Sequence, residues 1–131
     1  MRIDGFMPIA GYAAVGDGRT VALVASDGSI DWLPVQRIDS QPVFGALLDA
    51  DRGGRFELAP ADAYEVERRY LGRSNVLEST FTTETGEARV TDALALQDGG
   101  ELSWIELLRR VAGVKGRVRF RYRMRPRFGF A

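Results

Sequence analysis

Short apolar runs separated by turn residues set the pattern of this chain. Thr20-Val21-Ala22-Leu23-Val24-Ala25 is apolar almost throughout, as a strand covered on both faces is, and Asp27-Gly28 follows it with the chemistry of a tight turn. Ser29-Ile30-Asp31-Trp32 then alternates, which puts Ile30 and Trp32 on one face and Asp31 on the other. The two runs predict a hairpin. Further strands are expected at 55–59, 64–71, 76–83 and 88–96, the last two joined by a turn at Glu84-Thr85-Gly86-Glu87. Other turns are expected at Asp17-Gly18, Gly53-Gly54 and Asp98-Gly99-Gly100. Between 34 and 49 the chain holds Pro34, Pro42 and Gly45, which oppose a long strand or helix; it reads as a structured loop with one short helical insert near 43–49.

The last third carries the sharpest pattern. Residues 103–111 fit a helix or a strand by period alone; what favours a strand is the continuation through Gly113-Val114-Lys115-Gly116, which resembles a hairpin connection. After it, Arg117, Arg119, Arg121, Arg123, Arg125 and Arg127 alternate with Val118, Phe120, Tyr122, Met124, Pro126 and Phe128. A strand turns that alternation into one apolar face and one arginine face, whereas a helix would scatter the charge around its circumference. The sum of these elements predicts an all-β fold, an antiparallel β-sandwich.

Composition narrows the chemistry. At 131 residues the chain fits one domain and is too short for a catalytic barrel. It has no histidine and no cysteine, which removes imidazole bases, thiol nucleophiles and Cys/His zinc sites. A cytoplasmic location is compatible with the missing cysteines, and Met1 to Pro8 has neither the apolar run of a secretory signal nor a membrane span behind it. The formal charge of zero conceals an asymmetry: nine basic and no acidic residues lie from Leu107 to Ala131, while all 18 acids lie between Asp4 and Glu106. The arginine stripe therefore pairs with acids on neighbouring strands, Glu65, Glu67, Glu78, Glu84 and Glu87 being available, or lies under another domain. A nucleic-acid backbone is a weaker reading, because exposed aromatics and a recognition helix do not accompany the stripe.

Candidate chemistry elsewhere is thin. Asp31, Asp39, Asp49 and Asp51 surround the 34–49 loop and could form the carboxylate pair of a hydrolase. Against that, Asp17, Asp27, Asp51 and Asp98 suit turn formation, and Asp39-Ser40 suits a cap on the helical insert. Gly16-Asp17-Gly18-Arg19 lacks the glycine spacing of a phosphate loop. Tyr12, Trp32 and Trp104 could stack on a sugar, although the apolar company of both tryptophans fits a core better.

The segments Gly11-Tyr12-Ala13-Ala14-Val15-Gly16-Asp17-Gly18-Arg19 and Asp27-Gly28-Ser29-Ile30-Asp31-Trp32-Leu33 resemble the N-terminal domain of bacterial trehalase-like and glucoamylase-like enzymes of glycoside hydrolase family 15. The likeness continues in order through Arg37-Ile38-Asp39-Ser40, Asn75-Val76-Leu77-Glu78-Ser79-Thr80-Phe81, Arg109-Arg110-Val111 and Pro126-Arg127-Phe128. This resemblance implies a supersandwich-like domain ahead of an (α/α)6 barrel that hydrolyses an α-glucosidic bond with inversion, using two glutamates and no cofactor. Neither glutamate would belong to this chain. The implied partner is the downstream barrel of the same polypeptide, the α-glucoside being reached only through it, with no nucleic acid and no membrane; a homo-oligomer is compatible with the sequence. Residues 1–131 are then a non-catalytic fragment of a longer enzyme.

In the family the Trp32 loop usually reads Trp-Leu-Cys-Leu-Pro-Arg-Phe-Asp-Ser-Pro; this chain departs from it at Pro34, Val35, Gln36, Ile38 and Gln41. Trp32, Arg37, Asp39 and Phe44 are the expected contacts with the barrel or the rim of its sugar pocket, and Arg37 and Asp39 could equally pair locally. A self-sufficient module binding carbohydrate or an acidic partner is the alternative.

Overall fold

Ten strands lie among the described residues: β1 (Tyr12–Gly16), β2 (Val21–Ala25), β3 (Ile30–Pro34), β4 (Pro42–Phe44), β5 (Arg55–Pro60), β6 (Glu65–Tyr70), β7 (Leu77–Thr83), β8 (Gly86–Leu94), β9 (Leu107–Gly116) and β10 (Phe120–Arg125). The structure, a computed structural model, describes residues 1–96 and 105–130. The turn expected at Asp98-Gly99-Gly100 and the aromatic Trp104 lie outside the described residues. All pairings between the strands are antiparallel. One sheet runs β1-β2-β3-β5-β10 with β4 added to β3, and the other runs β6-β7-β8-β9. The all-β sandwich expected from the sequence is what forms.

Alternation explains the layers. Along β8, Gly86, Ala88, Val90, Asp92 and Leu94 are buried, whereas Glu87, Arg89, Thr91 and Ala93 are not. The inner residues meet in two clusters. Val15, Ala22, Val24, Ile30, Leu33 and Phe44 from one sheet pack on Leu77 and Leu94 from the other. Leu58 joins Phe81 and Val90, with Tyr64 and Phe120 set edge-on against the Phe81 ring at centroid distances of 5.0 and 6.2 Å.

The hairpin at Asp27-Gly28 is present. The Gly28 amide donates to the Ala25 carbonyl at 2.9 Å, and Gly28 adopts a φ of 85°. A Cβ there would lie 2.1 Å from the Leu58 carbonyl oxygen, so glycine is what lets β5 approach the turn.

Three expectations change. The 43–49 helical insert shrinks to a hydrogen-bonded turn, Leu48 and Asp49 donating to the Gly45 carbonyl, because Pro42–Phe44 is drawn into β4. Pairing with β3 and burial of the Phe44 ring in the core hold that segment extended. Gly113 to Gly116 is no hairpin connection but the end of β9, where a bulge opposite Glu87 and Ala88 absorbs an extra residue. β9 and β10 belong to different sheets, the chain crossing between them at 117–119. The long arginine strand accordingly shortens to Phe120–Arg125 and pairs with β5. Finally, β1 is a strand that the sequence pattern did not announce.

Candidate functional site

The expected contact residues fall into two environments. Trp32 sits half-buried in β3 opposite Leu23, and Phe44 is a core residue whose ring meets Phe56 at 6.0 Å. Arg37 and Asp39 lie at the exposed tip of the loop between β3 and β4, paired to each other at 3.2 Å. Between them Ile38 is 66% exposed, and its amide donates to the Arg19 carbonyl at 3.0 Å. Gln36 turns the loop with a φ of 77°, a conformation that a non-glycine residue adopts at some cost. The tip therefore offers an apolar side chain flanked by an exposed ion pair. Burial leaves Phe44 no surface to offer.

The aspartates considered for hydrolysis serve the fold. Asp49 accepts from the amides of Asp51 and Arg52, so Asp49 rather than Asp51 builds that turn, and Asp39 pairs with Arg37 instead of capping a helix. Asp17 accepts from the amides of Arg19 and Thr20. Asp31 is fully buried and accepts from Arg2 at 2.8 Å, the Tyr12 hydroxyl at 2.6 Å and the Ser29 hydroxyl at 2.6 Å, with Arg55 3.8 Å away. These donors occupy its oxygens, and burial closes it to solvent and to any substrate. Among the described residues no group of His, Cys, Asp or Glu is arranged to hold a metal ion.

Two buried charge clusters were not legible as sites. The first surrounds Asp31: Arg2 bridges Asp31 and Asp27, donating to Asp27 through Nε at 2.7 Å, and fastens the N-terminal segment over the sheet. The second is Asp92 with Arg109, whose side chains are 1% and 3% exposed and meet at 2.6 Å. Arg109 also donates to the carbonyls of Phe56 and Gly28, and its guanidinium lies 4.9 Å from the centre of the Phe56 ring. A charge on β9 thereby holds the opposite sheet. Arg68 does the same from β6, donating to the carbonyls of Val24 and Gly11, and the Tyr70 hydroxyl donates to Ala14.

Electrostatics in the first cluster predict acid lability. Burial pushes the Asp27 carboxyl up, but the Arg2 hydrogen bond and charge, the Ser29 amide and Arg55 outweigh it, and its pKa falls below the ordinary 3.8. Asp17 is lowered likewise, its modest burial outweighed by the Thr20 and Arg19 amides and the Arg19 side chain. A carboxyl depressed in the folded state stabilises it fully above the ordinary carboxylate range, and that stability is lost as pH falls through the lowered value. Urea denaturation followed from about pH 5 to about pH 2 should show a falling midpoint, and Asp27→Asn should flatten the fall. Equal slopes in the two proteins would contradict this assignment.

Comparison with known proteins decides the family. The sequence model described as trehalase-like, N-terminal, matches residues 4–131. The chain belongs to this family. The trehalase of Mycolicibacterium smegmatis is 47% identical over 70% of the chain, and that of Mycobacterium tuberculosis 45% over 70%. The trehalase of Thermoplasma volcanium is 30% identical over 98% of the chain. These matches span 14%, 13% and 21% of the respective enzymes, so the trehalase-like N-terminal chain corresponds to a small part of each. No solved structure matches it. No helix among the described residues is long and apolar enough to cross a membrane.

Proposed function

We propose that this trehalase-like N-terminal chain is the non-catalytic front domain of a cytoplasmic enzyme that cleaves trehalose, and that it docks on and braces an (α/α)6 catalytic barrel in the same polypeptide. The observation that carries this reading is the small share of each trehalase that the chain spans. Supporting it, the buried carboxylates of Asp31 and Asp92 are each held by arginine, and Asp31 by two hydroxyls as well, which suits a rigid support rather than acid–base chemistry. The tip formed by Arg37, Ile38 and Asp39, with Trp32 behind it in β3, is the proposed contact with the barrel. Docking there would cover Ile38 and leave Arg37 and Asp39 to meet polar groups at the rim, the usual arrangement of apolar centre and polar border.

Hydrolysis of trehalose by the 131-residue chain is the direct check. No glucose release is expected from it, and release is expected from the longer enzyme; turnover by the chain alone would overturn the reading. Titration with trehalose separates bracing from independent sugar binding. Saturable binding that Trp32→Ala abolishes without unfolding the chain would make it a binding module instead.

A further inference from the structure

We infer that the free edge of β10 receives an additional strand in which apolar residues alternate with aspartate or glutamate, supplied by the part of the enzyme's polypeptide outside these residues. The inference rests on the docking role proposed above and gives it a second surface.

Among the described residues β10 is the last strand of its sheet, so one row of its backbone amides and carbonyls has no ladder partner there. Its two faces differ. Phe120, Tyr122 and Met124 lie on the inner side, Phe120 against Phe81 and Tyr122 against Phe56 at 5.4 Å, yet Tyr122 is 63% and Met124 48% exposed. β9 ends the opposite sheet, and there Val111 is 45% exposed although it stands opposite the buried Val90. Apolar side chains are thus left exposed on both of these edge strands, Tyr122 and Met124 on β10 and Val111 on β9. At β6, the other end of that sheet, the Arg68 and Tyr70 bonds to β2, Gly11 and β1 tie the layers together.

On the outer side, Arg121, Arg123 and Arg125 are exposed, and none of them forms an ion pair among the described residues. The register places Arg123 opposite Glu57, without an ion pair forming, and Arg125 opposite Arg55, a like-charge pair that destabilises a sheet. The acids foreseen as partners, Glu65, Glu67, Glu78, Glu84 and Glu87, do not neutralise the stripe; Glu78 pairs with Arg69 and Arg89, and Arg119 with Asp62. Charges on an edge strand also deter unwanted pairing. That role alone leaves the exposed tyrosine and methionine unexplained. A second copy of β10 would set arginine beside arginine, whereas an added strand with acids outward and apolar residues inward would satisfy both faces and the backbone row.

The test is amide hydrogen exchange of the 131-residue chain with two short synthetic peptides, one alternating valine with glutamate and one alternating valine with lysine. The acidic peptide should slow exchange in β10 roughly tenfold and leave β1 and β6 unchanged. Combining Arg121→Glu, Arg123→Glu and Arg125→Glu should transfer the preference to the lysine peptide, a gain that unfolding cannot mimic. In the longer enzyme, β10 should be protected without peptide. Protection by neither peptide, equal protection by both, a chain that dimerises through β10, or an unprotected β10 in the longer enzyme would each overturn the inference. Because the peptides contain nothing of the barrel, their failure to bind would leave the bracing role standing on its own measurement.

Discussion

Replacing Arg109 by methionine is expected to lower the unfolding free energy by about 3–5 kcal/mol, read from urea denaturation. The magnitude follows from burial on both sides: the Asp92 carboxyl, 1% exposed, would be left without its 2.6 Å partner. The carbonyls of Phe56 and Gly28 would lose a donor in the same substitution. Against a usual domain stability of about 5–15 kcal/mol, that loss brings the chain near its folding limit. The double replacement Asp92→Leu with Arg109→Met separates the causes. It removes the stranded carboxyl and should recover part of the loss, but not all of it, because the two carbonyls remain unsatisfied. Full recovery would mean that the cross-sheet bonds contribute nothing.

Asp31→Asn should cost about 3 kcal/mol in the same measurement. Asp31 is wholly buried and gathers Arg2, Tyr12 and Ser29 around one carboxylate, with Arg55 close by. An amide can accept from some of these donors but cannot balance the arginines. The expected cost sits at the low end of the range for a broken buried pair because Arg2 keeps its bonds to Asp27. Tyr12 gives a second readout in the wild-type chain. Burial, followed by the hydrogen bond to Asp31 and its charge, pushes the phenol pKa well above the ordinary 10. A folded-state pKa raised in this way means stability that is whole below the ordinary value and lost as pH climbs beyond it. Tyr12→Phe should remove that alkaline loss.

These two clusters mark where sequence reading and structure part. β7 and β8 were legible because their alternation is regular and a two-residue turn, Glu84-Thr85, joins them. β1 was not, since Tyr12-Ala13-Ala14-Val15-Gly16 has neither alternation nor many β-branched residues; pairing with β2 makes it a strand. The arginine period gave the faces of β10 correctly, but a period of two says nothing about which sheet a strand joins. Asp92 did carry a signal: it shares its phase with Ala88, Val90 and Leu94, so a carboxylate had to enter the core and find a cation. Asp31 carried a misleading one. It reads as the outward residue of a half-exposed strand, yet Arg2 of the N-terminal segment, Tyr12, Ser29 and Arg55 gather over it and bury it. Of the expected contact residues, the loop tip at Arg37 and Asp39 is exposed, while Phe44 went inward because Pro42–Phe44 became a strand.

The bracing role stands or falls on one titration, in which the 131-residue chain is added to the separately produced remainder of the enzyme and heat is recorded. A saturable one-to-one complex with a raised melting temperature for the catalytic portion is the predicted result. A catalytic portion that melts at the same temperature, hydrolyses trehalose equally well without the chain and takes up none of it would contradict the account.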